Sequence, residues 1–240
     1  MATQSRLLTA NWHHLAMLNF EIAPECLAPF VPRGTELDFF HDKTYVSVVG
    51  FQFLRTRILG IPIPWHCNFE EVNLRFYVRR DNHGTARRGV CFIKELVPRL
   101  AIATIAKWIY NENYQAVAMK HQVNQIPGEA PSVCYQWKKQ QRWQGLTLNA
   151  ENALQLPEPG SIEEFISEHY WGYTRQRDGG TVEYQVRHPT WKFWPATDAD
   201  LNCDVASLYG EQFAQPLRHL DSAFLAEGSP VSVSTPSKIC

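Results

Sequence analysis

The sequence contains no C-x-x-C pair, no HExxH motif and no apolar run approaching the roughly 18 residues that a membrane helix needs. Its six cysteines, Cys26, Cys67, Cys91, Cys134, Cys203 and Cys240, are widely separated, so zinc spacing has no support and buried free thiols are expected. His13 and His14 are adjacent and cannot share a helix face at metal-binding spacing. No metal and no cofactor is therefore expected. Charge of one sign is also lacking: 23 basic and 24 acidic residues give a formal net charge of −1, without the positive bias that nonspecific nucleic-acid binding demands. The opening MATQSRLLTANWHH has no apolar stretch of signal-peptide type, and the expectation is a cytoplasmic protein with no membrane or nucleic-acid partner. No internal repeat, coiled-coil heptad or low-complexity segment occurs.

What the chain does have is apolar material for one core, 45% hydrophobic and 12% aromatic over 240 residues. A single domain spanning 1–240 is expected, with residues 1–10 and 236–240 as loose ends. The stretch from Phe69 to Val123 organises it. Phe69 to Val78 reads FEEVNLRFYV, and at a period of two Glu71, Asn73, Arg75 and Tyr77 share one face while Val72, Leu74, Phe76 and Val78 share the other. After a turn at Asp81-Asn82-His83-Gly84, a second strand from Gly89 to Val97 carries Lys94 and Glu95 up to Pro98-Arg99. Pro98 opens a predicted helix to Tyr110, with Ala101, Ile102, Ile105, Ala106 and Ile109 on one face. Tyr114 to Val123 is predicted as a strand in which alternation turns either Lys120 or His121 inward.

Around this centre the signals are short and mostly β. Ile22 to Phe30 is predicted helical, with Pro24 in its first turn. Leu37 to Phe40 and Tyr45 to Phe53 form an expected hairpin. Strands are expected at Val133 to Lys138 and Trp143 to Asn149, at Tyr170 to Arg175 and Thr181 to Val186 around Asp178-Gly179-Gly180, at Leu201 to Val205 and at Val231 to Ser234. Ser161 and Glu164 fit a capping box, and Tyr209 to Leu217 reads as helical. The order gives an α+β domain with an antiparallel-rich, β-barrel-like core and a few flanking helices.

Each candidate residue has a plain reading beside its chemical one. Lys94, near Arg75 or Arg99, is an activated amine or a solvated lysine paired with Glu95 or Glu112. Glu71 with Arg75 binds a carboxylate-bearing ligand and holds its proton, or forms an ordinary ion pair on an open strand face. Tyr77 and Asn73 would add neutral hydrogen-bonding groups to the same site. Lys120 and His121 are ligand contacts or surface groups. Trp191, Phe193 and Trp194 read as packing at a barrel end, and Cys91 as a core thiol.

The blocks NFEEVNLRFYVRR, GVCFIKELVPRLAIATIAKWIYNENY, HPTWKFWPATDADL and FLAEGSPVSV, spread over most of the chain, resemble the YqjF-like family of uncharacterised conserved bacterial proteins. That family is similar in fold to acetoacetate decarboxylase, which implies a barrel-like core around an internal pocket and often a homo-oligomer. The decarboxylase uses a Schiff-base lysine activated by a second lysine, within a motif R-E-x-x-G-x-P-K-K-L. Here Lys94-Glu95-Leu96-Val97-Pro98-Arg99-Leu100 keeps the start and the proline but lacks the lysine pair, and Arg99 stays protonated. Glu71 is the counterpart the resemblance offers for the strand carboxylate. The leading expectation is a pocket for a small carboxylate- or carbonyl-containing molecule, with Glu71, Lys94 and Glu95 as catalytic candidates. Asn73, Arg75, Tyr77, Arg99, Lys120 and His121 are the ligand-binding candidates. A Schiff-base decarboxylase using Lys94 or Lys120 and a noncatalytic ligand-binding or structural protein are the alternatives.

Overall fold

Length and two-sided burial of the strands decide the architecture. The computed structural model describes residues 5–62, 66–99 and 111–239. The strands are β1 (Arg6–Ile22), β2 (Glu36–Leu37), β3 (Thr44–Ile58), β4 (Ile61–Pro62), β5 (Phe69–Asn82), β6 (Thr85–Val97), β7 (Tyr114–Ala116) and β8 (Met119–Asn124). They continue with β9 (Ser132–Lys139), β10 (Arg142–Ala150), β11 (Trp171–Arg175), β12 (Thr181–Arg187), β13 (Phe193–Asn202), β14 (Ser222–Ser234) and β15 (Ser237–Lys238). The described helices are short: α1 (Pro24–Leu27), α2 (Ile162–Ser167), α3 (Val205–Tyr209) and α4 (Glu211–Ala214).

The hydrogen-bonded order is β15-β12-β11-β6-β5-β3-β1-β14-β13-β10-β9-β8, and β12 also touches β14. A barrel-like wall results, but not a regular closed barrel. Two of its seams are only two residue pairs long: the parallel seam of β11 with β6, and the antiparallel seam of β12 with β14. Strands β8, β9, β10 and β13 form an outer layer.

Alternation along β5 explains why both layers hold. Val72, Leu74, Phe76 and Val78 join Leu18, Val46 and Val48 in one cluster with Tyr135, Trp137, Leu146 and Leu148 of the outer layer. The opposite face, with Met17, Val49, Phe51 and Tyr77, joins Trp191, Phe193 and Phe224 around the interior. An apolar residue such as Leu74, fully buried, contributes about 1.5–3 kcal/mol by leaving water, so a run of four fixes which face meets the outer layer. The polar face of β5 must then turn into the barrel.

Several local expectations change. Leu37 pairs with Val78 of β5 and not with β3, and the expected hairpin shrinks to a single bridge between Phe40 and Lys43. The predicted strand over 114–123 is two strands, because β7 runs parallel to β6 while β8 leaves to join β9. Val205 begins a helix, its N-terminus capped by Asp204, so the strand that was expected to reach it ends at Asn202. At the ends, expected to be loose, β1 already begins at Arg6 and Ser237–Lys238 pairs with β12. The helix expected over 98–110 lies, beyond Arg99, outside the described residues. The capping box forms in part: Ser161 Oγ accepts from the Glu164 amide at 3.2 Å, while Glu164 Oε2 takes the Gly160 amide at 2.6 Å. Among the described residues no helix is long and apolar enough to cross a membrane.

Candidate functional site

One register row gathers the polar groups inside the wall. Met17, Val49, Asn73, Glu95 and Tyr114 stand opposite one another across β1, β3, β5, β6 and β7. Residues opposite one another in neighbouring strands project to the same face, so Asn73, Glu95 and Tyr114 meet without any loop to position them. Glu71 and Arg75 lie two residues to either side of Asn73 on β5. Together they line a cavity of about 90 Å³ that also exposes Glu112, Ser167, His169, Tyr184, His188, Trp12 and Trp191.

Three carboxyl groups share this space. Glu71 Oε1 accepts from Asn73 Nδ2 at 2.9 Å, and its Oε2 from the Tyr114 hydroxyl at 3.4 Å. Glu112 Oε1 accepts from Tyr184 at 2.5 Å and Thr174 at 3.1 Å. Burial pushes Glu71 up to about 8, with the charge of Glu112 adding to it and the hydrogen bonds opposing it. Burial likewise lifts Glu112 to about 7, and it holds Glu95 far above the carboxylate range, helped by Glu112 and Glu71. At neutral pH the cluster therefore retains protons, and a protonated carboxyl is a hydrogen-bond donor in a place where a carboxylate could only accept.

Cations in the cavity are few. Arg75 is held by its own wall, donating to the Ile166 carbonyl at 3.1 Å and to the Tyr77 hydroxyl at 3.3 Å. Tyr77 in turn meets Ser47 Oγ at 2.6 Å, and Ser47 donates to Asn19 at 2.6 Å. His169 contacts Asp38 Oδ2 through Nε2 at 3.1 Å, and the same oxygen receives Arg88 at 2.7 Å. Burial drives His169 down to about 4, so the ring is neutral at pH 7. Burial opposes the Asp38 charge, but the bonds from His169 and Arg88 outweigh it and hold that carboxyl below its ordinary range. The neutral ring donates an Nε2–H hydrogen bond to the carboxylate, which leaves Nδ1 as a bare acceptor.

Four polar atoms of this lining, Trp12 Nε1, Asn73 Oδ1, Glu95 Oε2 and His169 Nδ1, are buried and have no hydrogen-bond partner among the described residues. Each unsatisfied buried group costs about 1–3 kcal/mol. Four such atoms lie around this one cavity, an unusual concentration for a protein interior.

The other sequence candidates lie elsewhere. Lys94 stands opposite Leu74, on the outer face of the wall, where burial and the neighbouring charge of Lys139 depress its proton affinity. The single-residue alternation that brings Glu95 in turns Lys94 out, and it makes no ion pair with Glu95 or Glu112. Arg99 is exposed beyond the end of β6. Lys120 and His121 sit on β8, the edge of the outer layer: Lys120 lies 4.4 Å from the centre of the Trp143 ring, and His121 bonds Gln52 at 2.7 Å. Neither lines the cavity, since β8 belongs to the other layer. Among the described residues no lysine lines it. Trp191 does, stacked 3.9 Å from His188. Cys91 is buried in the core, and no group of three or more His, Cys, Asp or Glu is placed to hold a metal ion among the described residues.

Sequence reading missed Glu112, His169 and Tyr184. Glu112 lies in coil just before a parallel strand, and His169 just past α2, so no periodic pattern points at either. Their signal is only in the pairing of distant segments.

This architecture is the acetoacetate decarboxylase-like fold. The acetoacetate decarboxylase of Legionella pneumophila superposes with a TM-score of 0.66 at 11% identity, covering 98% of this chain and 88% of that one. The enduracididine biosynthesis enzyme MppR, complexed with the condensation product of pyruvate and imidazole 4-carboxaldehyde, gives 0.69 at 11% identity over 98% and 90%. Residues 9–230 match the DUF2071 model, described as an uncharacterized conserved protein, and the chain belongs to that family. The uncharacterized protein YqjF of Bacillus subtilis (strain 168) is 24% identical over 204 residues, 83% of this chain and 78% of YqjF.

Proposed function

We propose that the cavity binds a small molecule carrying a carbonyl and a carboxylate, and that the glutamate cluster moves a proton at the carbon beside the carbonyl. The observation that carries this reading is the ring of four unpartnered buried polar atoms around three proton-retaining glutamates and one arginine. Size narrows the class. A cavity of about 90 Å³ is well below the roughly 300 Å³ at which drug-sized pockets begin. A short keto acid suits it. MppR, of the same fold, is also known complexed with pyruvate.

In this reading Arg75 holds the carboxylate, while protonated Glu95 donates to the carbonyl oxygen and so favours the enol. Glu71, lifted toward neutral pH, exchanges the proton, since a catalytic acid or base works best with its pKa near the working pH. No lysine adduct enters the scheme. The test is deuterium exchange into pyruvate, followed by proton NMR in heavy water. The expected result is exchange above the buffer rate that falls by about a hundredfold or more in Glu71→Gln, the scale of general acid–base catalysis. Wild-type protein that is stabilised by pyruvate yet exchanges no proton would make the site a noncatalytic binder.

A further inference from the structure

A second site lies on the outer surface of the wall. Arg57 of β3, Thr9 of β1, Ser232 of β14 and Arg187 of β12 form one continuous register row across four adjacent strands. Strands spaced about 4.8 Å apart put the two arginine α-carbons about 14 Å from each other, with two hydroxyl-bearing residues between them. Arg6 and Arg55 line the same depression, which has a volume of about 440 Å³. Arg55 arrives there by an irregularity: β3 carries an extra residue between Leu54 and Arg57, and Arg55 takes a left-handed φ of 55° at that bulge. Bulges of this kind re-aim a side chain, and a non-glycine residue pays a strain cost to hold the conformation.

The charges here are unbalanced. Three exposed cations elsewhere on the surface are paired with carboxylates: Lys43 with Glu21 at 2.7 Å, Arg79 with Glu36 at 2.8 Å and Lys238 with Asp178 at 2.6 Å. In the depression no acidic residue contributes to the lining, and among the described residues none of the four arginines forms an ion pair. Among the described residues Arg187 donates to the neutral Gln185 amide oxygen, at 2.9 Å. Four guanidinium groups in one concavity create a local positive field on a chain whose formal net charge is −1.

We propose that this depression is a binding site for a compact, multiply charged phosphate anion, with Arg57 and Arg187 as opposed clamps over the hydroxyls of Thr9 and Ser232. The planar guanidinium fork matches phosphate oxygens two at a time, and hydroxyls supply the neutral donors between. The four arginines are confined to one depression, which matches a compact anion better than the extended track a nucleic-acid backbone needs. This site is independent of the interior cavity and of the chemistry proposed there.

The test is calorimetric titration of the full chain with inorganic triphosphate at low salt. Saturable one-to-one binding is expected, weakened at least tenfold by Arg57→Ala and by Arg187→Ala. Arg142→Ala, an exposed arginine on β10, should change it less than twofold. Both clamp residues are exposed, and an unchanged melting temperature confirms that the variants fold. No binding at millimolar triphosphate overturns the proposal, as does an equal loss in Arg142→Ala, which means diffuse charge attraction. Tighter binding of single-stranded DNA or anionic vesicles that triphosphate does not displace also overturns it, in favour of a macromolecular polyanion.

Discussion

Tyr184 and Gly172 stand directly opposite each other on β12 and β11, and the tyrosine ring lies where a glycine β-carbon would be. A methyl group at Gly172 would come within 2.1 Å of that ring, and the same ring carries the hydroxyl that donates to Glu112 at 2.5 Å. The absence of one side chain on β11 therefore sets the position of a carboxyl in the cavity. Gly172→Ala is expected to cost about 1–3 kcal/mol through overpacking, read from urea unfolding. Tyr184→Phe keeps the ring and should cost about 1–3 kcal/mol by leaving the carboxyl short of a donor. A Gly172→Ala protein as stable as the wild type would show that the ring has another place to go.

The glutamates predict how stability varies with pH. Glu71 and Glu112 have folded values of about 8 and 7 against an ordinary 4.5, so between these limits the native state keeps protons that the unfolded chain releases. Their contribution is complete below about pH 4.5 and is lost as pH rises through 7 and 8. The slope is at most about 1.4 kcal/mol per pH unit for each proton withheld. Urea unfolding at pH 5.5, 6.5 and 7.5 should show the wild type weakening across this range. The Glu71→Gln, Glu112→Gln double variant should weaken less, and parallel curves would refute the assignment.

Removing Arg75 tests the anion clamp separately from the acid cluster. Arg75→Met is expected to weaken pyruvate binding by about ten- to a hundredfold, the equivalent of about 1.5–3 kcal/mol for a charge-assisted hydrogen bond. Thermal shift and calorimetry read this out. Unchanged affinity would place the carboxylate elsewhere.

Lysine chemistry gives the opposite expectation. With Lys94 on the outer face and Lys120 beside Trp143, Lys94→Met and Lys120→Met should leave pyruvate binding within twofold of wild type. Borohydride treatment in the presence of pyruvate should label neither residue, as mass spectrometry of peptides would show. A mass increment on Lys94 would restore the Schiff-base reading for that residue.

The sequence was legible where one strand decides its own faces. The alternation of Glu71, Asn73, Arg75 and Tyr77 against Val72, Leu74, Phe76 and Val78 predicts the two sides of β5, and the structure turns the first set inward, Glu71, Asn73 and Arg75 onto the cavity and Tyr77 into the packed core, where it does not line the cavity. On β6 the same logic left Lys94 and Glu95 unresolved, because a register shift between Leu74 and Arg75 breaks the correspondence with β5. Lys120 and His121 were misleading for a different reason: alternation presumes an inside, and β8 is an edge strand with both side chains exposed. Glu112, His169 and Tyr184 were out of reach, since they enter the cavity through pairings between segments distant in the chain. The family blocks carried the fold; the membership of the cavity needed coordinates.

The two-faced character of β5 also limits how the protein can evolve. Substitution on either face changes one chemistry at a time, but insertion or deletion of a single residue in mid-strand exchanges the two faces downstream. Arg75 and Tyr77 would then be driven into the apolar layer while Phe76 and Val78 faced the glutamates. Descendants of this chain can therefore lengthen or shorten β5 only in steps of two, or by inventing a compensating bulge, and a one-residue gap within 69–78 should be among the rarest changes its lineage tolerates.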